Sequence, residues 1–162
     1  MPKSPIEIFP VGFFFSVQIL GMPAGGPTAI EAGFETVNGI NVTMNVDKIT
    51  EGGENTFVHK VPGRIAYDSN LELKRGLITG ISPFGLWCRS HFSGGINVVS
   101  ISKKIVTRDI IVHLLNVNQI PVMSWVFVGA YPVKWDIKGF SARESEIAVE
   151  TLSLAYRYFY VI

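Results

Sequence analysis

The sequence has one cysteine in 162 residues. Cys88 has no intrachain disulfide partner and no second thiol for a zinc cluster, and it reads as a small buried hydrophobe. Charge is also scarce: 17% of residues are Asp, Glu, Lys or Arg, against about 25% in typical globular domains. The 14 basic and 13 acidic residues leave a net charge of +1, which gives no electrostatic case for nucleic acid or an anionic membrane. No apolar run approaches the roughly 18 residues of a membrane-spanning helix. The nearest, VGFFFSVQILGM at 11–22, has Lys3 before it and PAGG after it, as the core of a signal peptide would. Pro5, Glu7 and Pro10 precede it, however, and Ser16 and Gln18 alternate with Phe13, Phe15, Val17 and Ile19 at the period of a strand. That alternation predicts a first β-strand.

Groups that carry chemistry are few and scattered. His59, His91 and His113 stand at no metal-binding spacing from one another or from Cys88, and His113 falls inside an apolar strand where a hydrogen-bonded core imidazole is expected. GMPAGGP at 21–27 lacks the Lys and Ser/Thr of a phosphate-binding loop, and no Gly-x-Ser-x-Gly elbow occurs. Glu51 and Glu54, set among glycines, could be drawn as a carboxylate pair or cation loop, but a solvated hairpin tip explains them more simply. Lys74, Arg75, Lys103 and Lys104 form no wide basic stripe and read as a solvated face or as ion-pair partners. We therefore expect no metal, no cofactor and no enzymatic activity.

What the chain does have is period two. Ile40, Val42, Met44 and Val46 alternate with Asn41, Thr43, Asn45 and Asp47, giving a strand with one dry and one wet face. TEGGEN (50–55) supplies a glycine turn and TFVHKV returns, so a long hairpin with arms of about nine residues is predicted, closed by a Pro-Gly turn at VPGR (61–64). NLELKRGL (70–77) predicts a strand with Leu71, Leu73 and Leu77 on one face, stopping near Gly76. SPFGLWCRSHF (82–92) predicts one helix, capped by Ser82, started by Pro83 and ended by Gly94-Gly95, with Phe84, Trp87 and Cys88 on its buried side. DIIVHLLN (109–116) and VMSWVFVGAY (122–131) are apolar on both faces and predict covered central strands; VKWDIK (133–138) alternates again. In the closing segment, 146–162, Ile147 and Val149 are out of phase with Leu152, Leu154, Tyr156 and Tyr158, which predicts a bulge near Glu150-Thr151.

A chain of this length suits one domain, residues 1–162, of mostly antiparallel β-structure with one helix. Hydrophobic residues make up 48% and mean hydropathy is +0.32. With so little charge to cover its surface, the chain is either an unusually well-filled β protein or one that buries apolar surface against other subunits.

Four stretches, read in order, resemble the tail-tube family of contractile injection systems and contractile-tailed phages: FPVGFFFSV (9–17), 34–77, SPFGLWC (82–88) and 123–159. The most specific pieces are Lys74-Arg75-Gly76, Trp125 followed by AYPVKW, and EIAVETLSLAY. GGENTFVHKVP and the AYRYF ending look like the tube-initiating subunit of extracellular contractile injection systems. The resemblance implies a barrel-like β-sandwich, six copies in a ring around a channel, and partners among inner-tube, spike-hub and baseplate proteins. It implies synthesis in the cytoplasm and assembly into a phage tail-like particle that is released extracellularly. On that reading Asn41, Thr43, Asn45 and Asp47 line the channel while Val42, Met44 and Val46 face the body of the subunit. Glu51, Gly52, Gly53, Glu54 and Asn55 would touch the next ring or the hub, and Leu152, Leu154, Tyr156 and Tyr158 would pack in the subunit's own sheet or on a neighbour. Two other roles fit the same family: the main tube subunit in stacked hexameric rings, and a secreted ring-shaped effector carrier.

Overall fold

The computed structural model describes residues 13–21, 29–76, 83–92, 105–139 and 148–162. Residues 22–28, Leu77, the expected caps at Ser82 and Gly94-Gly95, Lys103, Lys104 and Ile147 lie outside them. Among the described residues ten strands and one helix follow in chain order: β1 (Phe14–Ile19), β2 (Ala29–Phe34), β3 (Thr36–Asn38), β4 (Thr43–Ile49), β5 (His59–Ala66), β6 (Leu71–Gly76), α1 (Pro83–Phe92), β7 (Arg108–Leu115), β8 (Pro121–Lys138), β9 (Val149–Ala155) and β10 (Tyr158–Val161). Eight of the strands form one antiparallel sheet in the order β2-β1-β7-β8-β9-β6-β3, with β10 also on β8; β4 and β5 form a separate two-stranded sheet. This is the mainly antiparallel, barrel-like β fold with one helix and a long hairpin that the sequence predicts, left open rather than closed on itself.

β8 is the spine. Its first half pairs with β7 on one side and β10 on the other, and its second half pairs with β9, so one 18-residue strand joins the two parts of the sheet. The sequence reads as two strands here because Pro132 interrupts it, yet the strand runs through, with Pro132 opposite Leu154 and a register shift before Lys134. That irregularity absorbs the missing amide.

The core lies on the inward face of both parts. Val17, Ile19, Ile110, Val112 and Phe127 come from one, Leu71, Leu73, Leu152 and Leu154 from the other, all fully buried. α1 covers them with Phe84, Trp87 and Cys88, as its spacing predicts, and the Phe84 ring meets Phe34 edge-on at 5.8 Å. Burying Phe84 alone is worth roughly 1.5–3 kcal/mol. β7 and β8 are central in pairing, but their outer faces are only partly covered: His113 is half-buried, while Val122 is exposed. His113 is hydrogen-bonded as expected, Nδ1 to Ser124 Oγ at 2.6 Å and Nε2 to Gln18 Oε1 at 3.4 Å.

The predicted bulge at Glu150-Thr151 does not form. β9 keeps continuous register against β6, from Leu71 opposite Leu154 to Gly76 opposite Val149. Its inward residues are Leu154, Leu152 and Glu150, so a carboxylate occupies a core position and disguises the phase. Arg75, expected on a solvated face or in an ion pair, answers it from the facing strand: Nε donates to Glu150 Oε2 at 2.7 Å, with both side chains almost wholly buried. Trp135 Nε1 donates to Glu150 Oε1 at 2.8 Å, and the Arg75 guanidinium lies 4.9 Å from the Phe34 ring centre. The closing segment then breaks at Tyr156-Arg157 into β9 and β10, which follow different halves of β8.

Candidate functional site

The β4–β5 hairpin stands apart from the rest of the molecule. Its base is fixed firmly. Gly39 adopts a φ of 86°, and a Cβ there would fall 1.8 Å from the Asn70 carbonyl oxygen, a place no other residue could occupy without moving backbone. The Tyr156 hydroxyl donates to the Gly39 carbonyl at 2.9 Å. Tyr67, just past β5, packs edge-on against Tyr156 and Phe159 at 6.3 and 5.6 Å. Both arms are therefore clamped to one aromatic cluster, and burial raises the Tyr156 phenol above its ordinary pKa.

Beyond that clamp every residue of β4 is exposed, and of β5 only Gly63 and Ala66 are partly covered. The cross-strand register puts Met44 beside Ile65 and Val46 beside Pro62 on one face; Thr43, Asn45 and Asp47 lie on the other. The two faces are as predicted, but the cover is not. Val42, Met44 and Val46 were expected against the body of the subunit, and they remain 51, 53 and 53% exposed. The reason is topological: among the described residues the hairpin shares no ladder with the eight-stranded sheet, so its apolar face has no part of that sheet to lie on. At the outer end of that face Lys48 stands opposite Lys60, a like-charge pair that destabilises an isolated ladder.

Two local readings also change. The arms are seven and eight residues long, and VPGR is not a turn but part of β5. Pro62 sits opposite Val46, and the next two residues bulge, so that Ile65 regains register at Met44. Gly63 allows this because a Cβ would come 2.8 Å from the Asn45 carbonyl oxygen. At the tip, Gly53 takes a φ of 97°, and the Glu54 amide donates to the Glu51 carbonyl at 3.3 Å. The Glu54 carboxylate accepts from the Thr56 amide at 2.8 Å, and the Thr56 hydroxyl and amide together hold its pKa below the ordinary value. Glu51 Oε1 is 3.6 Å from His59 Nε2. All five tip residues, Glu51 to Asn55, are exposed.

Leu152, Leu154 and Tyr156 are buried in the chain's own core, whereas Tyr158 is exposed on β10. Beside Tyr158, the sequence reading did not name Tyr160, Val161 and Ile162 as packing residues, and they too are exposed. Their signal was the aromatic ending itself.

Among the described residues no three His, Cys, Asp or Glu gather as a metal site would require. A 450 Å³ cavity beside the end of α1 is lined by His91, Phe92, Ile105, Val106, Tyr131 and Pro132, among others. Its imidazole is already engaged, Nδ1 with the Trp87 carbonyl at 2.8 Å and Nε2 with the Val106 amide at 3.2 Å, so it is not poised as a base.

Residues 11–160 match the family model described as the T4-like virus tail tube protein gp19. The chain belongs to this tail-tube family. It is a family of structural proteins, with no catalytic role indicated. Solved structures share the fold along nearly the full chain. One, in the 6-fold symmetrised cryo-EM structure of the anti-feeding prophage baseplate, is 23% identical with a TM-score of 0.72, covering 93% of this chain and 91% of its own. Another, in the extended sheath-tube complex of the PVC extracellular contractile injection system, is 21% identical with a TM-score of 0.67, covering 99% and 93%. A third, in the tube-terminating cap of the anti-feeding prophage, is 20% identical with a TM-score of 0.65, covering 100% and 93%. No curated protein matches the sequence.

Proposed function

We propose that this tail-tube protein forms a hexameric ring that initiates the inner tube on the spike-hub of a contractile injection system's baseplate. The observation that carries the reading is a rigidly based hairpin whose dry face is uncovered among the described residues. A surface of that kind is stable in an assembly and hazardous in a lone chain, and ring closure removes open strand edges. The likeness to a chain in a six-fold baseplate structure supports the baseplate position. In the ring, Asn41, Thr43, Asn45 and Asp47 face the channel, and Met44 and Val46 lie against a neighbouring copy. The tip, Glu51 to Asn55, meets the hub or the next ring. The particle forms in the cytoplasm and is released outside the cell.

Mechanism is then mechanical: the ring matches the hub's symmetry, templates the first tube ring, and is driven outward with the tube when the sheath contracts. Negative-stain microscopy of the chain with its tube and hub partners should show six-fold rings at one end of the tube. A monomer that persists at high concentration with those partners present contradicts the proposal. Rings distributed along the tube would identify a main tube subunit, and cargo co-purifying without any baseplate association would identify an effector carrier.

A further inference from the structure

The two edges of the hairpin are not alike. β5 carries Pro62, which has no amide to donate, followed by the bulge at Gly63-Arg64, and Lys60 near its outer end. Proline, bulges and lysine are the features that keep an edge strand from pairing with another chain. β4 shares the lysine, with Lys48 opposite Lys60, but has neither of the first two: Thr43–Ile49 is free of proline, glycine and bulge, with β-branched Thr43, Val46 and Ile49. A two-stranded sheet is marginal by itself and gains stability from a third strand.

An open edge of matching kind exists on the same molecule. β10 pairs with β8 on one side, and the Arg157 amide to the Val128 carbonyl and the Ile162 amide to the Ser124 carbonyl extend that ladder to six residues. Among the described residues its other side has no strand, the strand itself has no proline or bulge, and Tyr158, Tyr160, Val161 and Ile162 are exposed. The lengths agree: about 23 Å for β4 and about 20 Å for residues 157–162 at the strand rise. β3, another outer strand, is three residues long.

Resting on the ring reading above, we infer that β4, and not β5, is the edge by which the hairpin adds to a second copy, and that the receiving edge is β10. Contacts between unlike patches of identical chains close into rings, which isologous pairing of one patch with itself would not do beyond a dimer. β5 is then the guarded side, left to face away from the junction.

Cysteine cross-linking tests this. In a Cys88→Ala background, Asn45→Cys or Asp47→Cys is combined with Tyr158→Cys or Tyr160→Cys, and Lys60→Cys with Tyr160→Cys serves as the β5 comparison; all the new cysteines are on exposed side chains. Particles assembled with tube and hub partners are checked by microscopy, oxidised and run on a denaturing gel. At least one β4–β10 pair should give a ladder of covalent oligomers while the β5 pair stays monomeric. Intact particles with a ladder only from the β5 pair, or with none from any β4 pair, overturn the edge assignment and leave the ring reading standing. A failure to assemble before oxidation, shared by the Cys88→Ala parent and the unsubstituted chain, overturns both.

Discussion

β6 and β4 are both short strands with the same alternation of apolar and polar residues, and the molecule treats them oppositely. β6 buries Leu71 and Leu73 completely between β9 and the core; β4 leaves Met44 and Val46 more than half exposed. Alternation therefore reports that a strand has a dry face and says nothing about which molecule keeps it dry. In β6 the cover is local and contributes to folding. In β4 no described residue supplies it; on the proposed reading it comes from another chain, and its energy belongs to assembly.

That contrast can be broken first on the body side. Glu150→Ala removes the partner of a buried guanidinium and should cost about 3–5 kcal/mol. That is a large share of a typical 5–15 kcal/mol stability, readable as a lower denaturant midpoint. Gly39→Ala forces a side chain into a left-handed conformation and against the Asn70 backbone, and should cost at least about 2 kcal/mol while also loosening the hairpin base. The hairpin should respond in the opposite way. Met44→Ser with Val46→Ser should leave the unfolding midpoint of the isolated chain within about 0.5 kcal/mol of its original value. The same pair should reduce ring formation, counted by microscopy, at least tenfold.

Much of the body was legible because its elements obey their periods: the α1 face, the β6 face and the His113 environment all follow from spacing alone. Three misreadings share one cause, a residue whose usual meaning is overridden by a neighbour. Glu150 hides the phase of β9 because Arg75 neutralises it inside the core. Pro62-Gly63 imitates a turn, but Pro62 stays in the strand and Gly63 accepts the close carbonyl of Asn45. Pro132 imitates a strand end, and a register shift carries β8 through it. The uncovered hairpin was illegible for a different reason: its two faces are written in the sequence, but the position of the body relative to them is a tertiary fact.

Smaller effects sharpen the comparison at the tip. Replacing Glu51 and Glu54 together by Gln should leave the chain folded and weaken ring-to-hub attachment several-fold, measured by co-sedimentation of rings with hub. Acid should act on the same turn. Glu54's native pKa is depressed by its bonds from Thr56, so the turn's gain is full above about pH 4.5 and is lost as pH falls through the native value. The protection factor of the Thr56 amide, corrected for the intrinsic pH dependence of exchange, should fall over that interval in the original chain and stay flat in Glu54→Gln.

The most direct test is hydrogen exchange of the hairpin amides, residues 43–49, compared between the dilute chain and assembled particles. Cover supplied by a second copy predicts fast exchange when dilute and strong protection in the particle, with the already protected amides of β6 little changed. Equally fast exchange at 43–49 in intact particles would contradict the account, because the hairpin's dry face and open edge would then have no partner in the assembly either.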